Sequence, residues 1–155
     1  MPADPGHPAR NDASRGELRK LIEALDPGEL GRDVADGWTL GSLLAHLAWW
    51  DRYAAALLTS FIESGGAFDI ETPAQVGGRV VSEYVNAASA GQWRALPADH
   101  VRREAIDAAE AADRVAARFP HPQGGPSLDV IPRIADRARH RNEHLQQIAA
   151  VVRRP

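Results

Sequence analysis

The sequence predicts an all-α protein, an up-and-down four-helix bundle with a short additional helix. Long amphipathic stretches recur along the chain, and segments rich in glycine and proline separate them, as expected of helices joined by loops. No stretch alternates apolar and polar residues with the period of two that a half-buried strand requires. The chain has 155 residues, of which 44% are hydrophobic and 25% charged, as in a globular domain. We therefore expect one helical domain without strands.

The N-terminal segment is rich in proline, glycine, alanine and aspartate, so we expect residues 1–12 to be a disordered leader before a domain over residues 13–153. Ser14 and Glu17 have the spacing of a capping box, in which each side chain accepts a backbone N–H at a helix start. Asp26-Pro27-Gly28 ends this first helix. Its apolar stripe repeats every three or four residues: Leu18, Leu21, Ile22 and Leu25.

Thr39 is a favourable N-cap for a second helix over residues 40–63. The apolar face of this helix is broad enough to contact more than one neighbour. Its members are Leu40, Leu43, Leu44, Leu47, Ala54, Leu58, Phe61 and Ile62. Thr72 and Pro73 predict the start of a third helix over residues 73–90, which Gly77 and Gly78 weaken.

A fourth helix is predicted over residues 98–119, because apolar residues recur there at alternating steps of four and three. Residues 120–126 contain three prolines and two glycines and should end it. The last helix should start near Ile131 or Pro132 and run to Val152. Its apolar stripe is Ile134, Ala138, Leu145, Ile148 and Val152.

Three histidines form a candidate metal site. His140 and His144 are four residues apart on the last predicted helix, so their Cβ atoms lie roughly 5–6 Å from each other and both rings can reach one ion. His46 lies on the second helix. At roughly 100° per residue, all three fall on the same flank of their helix's apolar stripe. A three-histidine set with open positions is typical of catalytic metal sites.

Other interpretations of these histidines stay open. An H-x-x-x-H pair arises easily by chance on an amphipathic helix, and a lone histidine beside the core, such as His46, is more often a hydrogen-bonded packing residue. The ligand type suits zinc, nickel or ferrous iron and does not choose among them. His7, His100 and His121 are expected to be exposed and unrelated to the site.

The surroundings of the histidines are similar to those of a known family. Gly37-Trp38-Thr39, followed by Leu43-Leu-Ala-His46-Leu-Ala-Trp-Trp50-Asp51, and then His140-x-x-x-His144-x-x-Gln147 resemble the DinB-like family of metalloenzymes. This family includes the N-terminal domain of mycothiol-dependent maleylpyruvate isomerase and related thiol S-transferases. The resemblance spans about residues 14–152. It implies a four-helix bundle, often dimeric, with a divalent ion at His46, His140 and His144, and in some members a low-molecular-weight thiol cosubstrate.

Five neighbouring residues are candidates for further roles. Trp50 and Tyr53 lie on the His46 face and could line a substrate pocket, although such aromatic residues are more often core packing. Gln147 could hold an imidazole or a metal-bound water. Arg137 could bind an anionic substrate group, although a solvated arginine is the more common case. Asp51, together with Glu143, could act as an acid or base.

Charge and composition limit the kinds of partner that we expect for this protein. The net charge of −3 gives no electrostatic footprint for nucleic acid, and the local basic stretch of Arg137, Arg139 and Arg141 is expected to be a solvated helix face. No apolar span of 18 residues and no secretory signal is present, so we expect no membrane partner and a cytoplasmic protein. The chain has no cysteine, so any thiol must come from a cosubstrate.

The function predicted from the sequence is a metal-dependent enzyme acting on a small molecule. Its ion would be zinc or nickel, and its reaction would be S-transfer or isomerisation with a mycothiol-type thiol. Two alternatives stay open: a metal-dependent hydrolase whose nucleophile is bound hydroxide, and a non-catalytic ligand-binding or stress-response module. A homodimer is also predicted.

Overall fold

The structure, a computed structural model, describes residues 6–65, 78–119 and 134–153. These residues form five α-helices: α1 (Gly6–Ala24), α2 (Leu40–Glu63), α3 (Gly78–Arg94), α4 (Ala98–Ala116) and α5 (Ala138–Val152). A 3₁₀ turn (Pro27–Gly31) and a hairpin of β1 (Asp33–Ala35) and β2 (Trp38–Thr39) connect α1 to α2. The predicted all-α helical bundle is confirmed.

The helices alternate in direction along the chain. α2 and α5 are antiparallel, because His46 contacts His144 whereas Asp51, one turn later on α2, contacts Arg137, two turns earlier near the start of α5. Helices α1, α2, α4 and α5 pack on one another, and α3 packs on α2 and the hairpin. None of the described helices is both long enough and apolar enough to cross a membrane.

The core lies between leucines of α1 and α2 and alanines of α4. Most residues of the predicted stripes on α1 and α2 are buried. The alanines of α4 have no exposed surface and let α2 approach closely: Ala105, Ala108, Ala109, Ala112 and Ala116. On α5 the predicted stripe is wrong at its end, because Val151 is buried whereas Val152 is 37% exposed.

The predicted leader is wrong over residues 6–12, which belong to α1; residues 1–5 lie outside the described residues. Asn11 is completely buried, and its side-chain amide donates to the backbone oxygen of Ala135 at 2.8 Å. Ser14, the predicted N-cap, lies inside α1 and donates to the backbone oxygen of Asn11. His7, predicted to be exposed, is buried with Nε2 at 3.1 Å from the backbone oxygen of Ala116. Contacts with distant parts of the chain thus order a segment whose composition alone suggests disorder.

The prediction that the chain has no strands is wrong at one place, the hairpin of β1 and β2. Ala35 pairs with Trp38, and the two turn residues between them, Asp36 and Gly37, both have positive φ, at 51° and 81°. Asp-Gly is a preferred pair for such two-residue turns. The hairpin leads directly into α2, where Thr39 is the predicted N-cap: its Oγ1 accepts the backbone N–H of Ser42 at 3.1 Å.

Other boundaries differ by a few residues. α3 begins at Gly78 and ends at Arg94, and the predicted start at Thr72 and Pro73 lies outside the described residues. α4 ends at Ala116, three residues earlier than predicted. α5 begins at Ala138, after the predicted start near 131–132, which is also outside the described residues, as are residues 120–126.

Candidate metal centre

Three imidazoles meet between α2 and α5. His46 comes from α2, and His140 and His144 come from successive turns of α5. The Nε2 atom of His46 lies 3.2 Å from that of His140 and 3.1 Å from that of His144, and the Nε2 atoms of His140 and His144 are 3.2 Å apart. The three nitrogens therefore form a nearly equilateral triangle, as the helix spacing predicts for the pair on α5.

This triangle fits a divalent metal ion. Two imidazole nitrogens that each lie roughly 2.0–2.1 Å from one zinc ion, at angles between octahedral and tetrahedral, are about 2.8–3.4 Å apart. The three observed distances fall within that range. In a neutral imidazole Nε2 is either a donor or an acceptor, so at least one of the three Nε2–Nε2 contacts joins two groups of the same kind, and hydrogen bonds alone cannot satisfy the triangle. The cluster could therefore hold a metal ion.

The environment keeps the three rings uncharged. Burial lowers the pKa of His46 to about 3, with a smaller contribution from the neighbouring His144. Burial, followed by the positive charge of Arg137, lowers the pKa of His140 to about 2. Burial also lowers the pKa of His144. A neutral imidazole is the form that coordinates a metal, so the electrostatics favour the ligand state near neutral pH.

The distal nitrogens of the rings differ in their partners. The amide oxygen of Gln147 lies 2.8 Å from Nδ1 of His144, which can therefore donate its proton there and leave Nε2 free to coordinate. Arg137 is different: its Nη2 donates to Nδ1 of His140 at 3.0 Å, which requires the tautomer with the proton on Nε2, so coordination of a metal through Nε2 would break this hydrogen bond. Nδ1 of His46 is buried and has no hydrogen-bond partner among the described residues.

Tryptophans surround His46. Its ring centroid lies 5.4 Å from that of Trp38 and 5.3 Å from that of Trp93, both in edge-to-face contact. Trp38 is placed there by the hairpin and Trp93 by the last turn of α3. Trp93 is buried and packs behind the His46 ring, whereas Trp38 also lines the pocket that opens onto the histidines.

A pocket of about 570 Å³ opens onto the three histidines. This volume is within the range of small-molecule sites. The hairpin forms one wall, α3 a second and α5 a third. The lining residues are Val34, Ala35, Asp36, Trp38, Leu43, His46, Trp50, Ser82, Asn86, Arg137, His140, His144 and Gln147.

Three of the predicted neighbours, Trp50, Arg137 and Gln147, line this pocket. Trp50 donates through Nε1 to the Asn86 side-chain oxygen at 3.0 Å, which holds the indole in the pocket wall. Tyr53, predicted to bind substrate, does not line the pocket: its ring stacks on Trp49 at a centroid distance of 5.7 Å. Tyr53 lies on the same face of α2 as His46, but it is two helical turns away, roughly 10 Å along the axis, whereas Trp50 is one turn away.

Asp51 is not placed to act as an acid or base on a pocket ligand. It has no exposed surface and does not line the pocket. Its Oδ1 accepts from Nε of Arg137 at 2.7 Å, and its Oδ2 accepts from Nε of Arg141 at 2.9 Å. Both carboxylate oxygens are therefore used in ion pairs, and this placement does not favour the predicted catalytic role of Asp51. Glu143 is exposed and pairs with Arg139.

The basic stretch on α5 is not the solvated face that the sequence predicts. Only Arg139 is exposed, whereas Arg137 is 9% exposed and Arg141 is completely buried. Arg141 also contacts Asp113 of α4, with Nη2 at 2.8 Å from Oδ1. Buried guanidinium groups need such partners, because an uncompensated charge in the interior is strongly destabilising.

Sequence reasoning missed the contribution of the hairpin and of α3 to the pocket. The Asp36-Gly37 pair is a turn signal that could have revealed the hairpin. Ser82 and Asn86 lie one turn apart on α3, but two polar residues at helical spacing are common on exposed faces and carry no specific signal. Of the remaining histidines, His100 is exposed as predicted, and His121 lies outside the described residues.

The comparison with known proteins agrees with this site. No curated protein and no solved structure matches the chain. The model of the DinB superfamily matches residues 10–148, which include all three histidines and most of every helix. The chain therefore belongs to the DinB superfamily.

Proposed function

We propose that this protein is a metal-dependent enzyme that binds one divalent ion on His46, His140 and His144. The observation that carries the proposal is the convergence of three Nε2 atoms, 3.1–3.2 Å apart, at a pocket of small-molecule size. Membership of a metal-associated superfamily supports it. Zinc or nickel is the proposed ion; imidazole nitrogens suit ferrous iron as well, so metal analysis has to distinguish the three.

The chemistry follows from the ligand set. Three protein ligands leave positions for water or substrate, and an ion bound there acts as a Lewis acid that lowers the pKa of a bound thiol or water. The residues of the chain do the rest. Gln147 holds His144 in the ligating tautomer, and the buried Trp93 packs edge-to-face against the His46 ring. Trp50 and Asn86, joined by a hydrogen bond, form a fixed wall for the substrate.

The proposed reaction activates or transfers a low-molecular-weight thiol, of the mycothiol type, onto a small electrophilic substrate. This part of the proposal rests on the family resemblance; because the chain has no cysteine, the reacting thiol would come from a cosubstrate. A homodimer and a cytoplasmic location also stay predictions.

Metal analysis tests the first half of the proposal. Protein purified without a polyhistidine tag should contain about one equivalent of zinc or nickel, or take it up from solution. Alanine at His46, His140 or His144 should each abolish stoichiometric binding. His100→Ala is the matched control, because His100 is an exposed histidine outside the pocket and its loss should change nothing. A triple variant with the metal content of the parent would show that the site is wrong.

Thiol dependence tests the second half. Metal-loaded protein is incubated with electrophiles in the presence and absence of a low-molecular-weight thiol, and both thioether formation and hydrolysis are measured. Thioether formation that needs the metal supports the proposal. Metal-dependent hydrolysis without thiol would instead identify a hydrolase, and a metal-free protein without turnover would identify a non-catalytic module.

A further inference from the structure

We propose that the small molecule bound in this pocket carries a carboxylate, and that Arg137 is the residue that binds it. The inference deepens the proposed function, on which it rests, by naming the chemical class of the ligand. It stands on the placement of one guanidinium group and on the distribution of charge around it.

The guanidinium group of Arg137 is fixed in place, but not all of its N–H groups make hydrogen bonds. Its Nε donates to Asp51 at 2.7 Å and its Nη2 donates to His140 at 3.0 Å. Its Nη1 makes no hydrogen bond within the part of the chain that the structure describes. The side chain is 10% exposed and lines the pocket. A rigid guanidinium with free N–H groups at a pocket wall is suited to a planar carboxylate.

The ion pairs behind Arg137 leave it only partly neutralised. Asp51 is shared between Arg137 and Arg141, and Asp113 is shared between Arg141 and Arg15. This buried chain thus contains three arginines and two aspartates. At its outer end Arg15 also pairs with the exposed Asp12. At its inner end Arg137 shares the single carboxylate of Asp51 with Arg141 and faces the pocket.

The rest of the pocket adds positive rather than negative charge. Imidazole ligands are neutral, so a divalent ion held by the three histidines would keep both of its charges. Asp36 is the one acidic residue among the pocket-lining residues described, and it lies exposed at the tip of the hairpin. An anionic ligand is therefore favoured electrostatically.

The geometry also limits the distance between the carboxylate of the ligand and its reacting group. The guanidinium contacts Nδ1 of His140, whose Nε2 faces the other two histidines, so a single imidazole ring separates the anion site from the metal-binding atoms. A carboxylate should therefore lie only a few bonds from the group that reacts. A phosphate dianion is less suited, because Arg137 is the one cationic side chain among the lining residues described and phosphate sites usually offer several donors.

A matched pair of thiols tests this inference. Binding of 3-mercaptopropionate and of its neutral amide, 3-mercaptopropionamide, to protein loaded with one equivalent of zinc is measured by calorimetry. The two probes differ only in the carboxylate, so the acid should bind roughly ten-fold or more tightly than the amide, as expected of a charge-assisted hydrogen bond. Equal binding of the two, or tighter binding of inorganic phosphate than of the acid, would overturn the inference.

Variants assign the preference to Arg137. Arg137→Gln should bind zinc, because removing a cation beside His140 does not weaken a metal ligand, but its preference for the acid should fall below two-fold. Arg137→Lys should keep part of it. Arg139→Gln is the control, because Arg139 lies two residues away, is exposed and does not line the pocket. A full preference retained in both Arg137 variants would contradict the proposal.

A failure of the proposed metal site can be distinguished from a failure of the carboxylate inference. A parent protein that takes up no zinc contradicts the metal site, and the same acid and amide are then compared on the metal-free protein by tryptophan fluorescence, since Trp38 and Trp50 line the pocket. Because Asp51 holds Arg137 without help from a metal, a preference that depends on Arg137 would still support the carboxylate site. Its absence there would overturn the inference.

Discussion

The side-chain oxygen of Asn11 accepts the backbone N–H of Arg137 at 2.8 Å, although 126 residues separate them. The same oxygen accepts the backbone N–H of Ala138 at 3.0 Å, so a residue of α1 caps the start of α5. Helix α5 has no side-chain cap of its own at this end. Because α5 carries two of the three histidines and Arg137, the first helix helps to set the position of the site.

Asn11→Ala should therefore destabilise the fold by about 1–2 kcal/mol, the range for a lost N-cap. The buried amide also donates to Ala135, so nothing else replaces its contacts. Urea or thermal unfolding measures the effect. Asn142→Ala, at an exposed asparagine of α5, is the control and should change stability by less than about 0.5 kcal/mol. Equal stabilities of the two variants would show that the cap contributes nothing.

Gln147→Ala should weaken metal binding by roughly 10–100-fold, because loss of the partner that orients a ligating histidine has effects of this size. Its effect on stability should be small, since Gln147 is exposed. Gln147→Glu keeps an acceptor for His144 and should retain most of the affinity. Competition with a chromophoric chelator gives the affinities, and Gln146→Ala, at the exposed neighbour, is the control. An unchanged metal affinity in Gln147→Ala would show that Gln147 does not position His144 for metal binding.

Asp51→Ala should be strongly destabilising, by about 3–5 kcal/mol, because it leaves Arg141 and Arg137 buried with fewer carboxylate partners. Asp51→Asn keeps the shape and should cost less. Denaturant unfolding measures both, with Asp107→Ala, at an exposed aspartate of α4, as the control. A stable Asp51→Asn protein with normal metal content but without turnover would instead restore the acid–base role that the sequence predicts.

Substitutions of Trp50 and of Tyr53 should differ in their effect on ligand affinity. Trp50→Leu removes a pocket wall and its hydrogen bond to Asn86, so binding of 3-mercaptopropionate to the zinc-loaded protein should weaken several-fold. Tyr53→Leu removes a ring that stacks on Trp49 outside the pocket, so binding should change less than two-fold. Calorimetry with the same probe gives both values. A larger loss in Tyr53→Leu than in Trp50→Leu would contradict the pocket described above.

Much of the fold and the histidine cluster could be predicted because helices repeat with a known period. The spacing of leucines and alanines identifies which face of each helix is buried, and the four-residue step from His140 to His144 places both rings on one side of α5. The flanking position of His46 predicts that it faces another helix. None of these inferences needs the identity of the neighbouring element.

The hairpin was missed although its Asp36-Gly37 turn is a local signal, but other predictions failed because they concern contacts between distant segments. Asp51 and Arg141 read as exposed charges in isolation, and only the packing of α2 against α4 and α5 makes them a buried ion pair. Composition likewise suggests disorder around Asn11, whereas its contact with α5 orders it.

The sequence by itself determined the all-α class, the helix faces and the three histidines, because periodicity and residue type act within a single turn or two of helix. The tertiary structure decided which polar groups are buried, which aromatic side chain reaches the pocket and where α1 begins. The physical reason is that the free energy of a buried charge or amide depends on the partner that satisfies it, and that partner lies on another helix, at a sequence distance that no local pattern records.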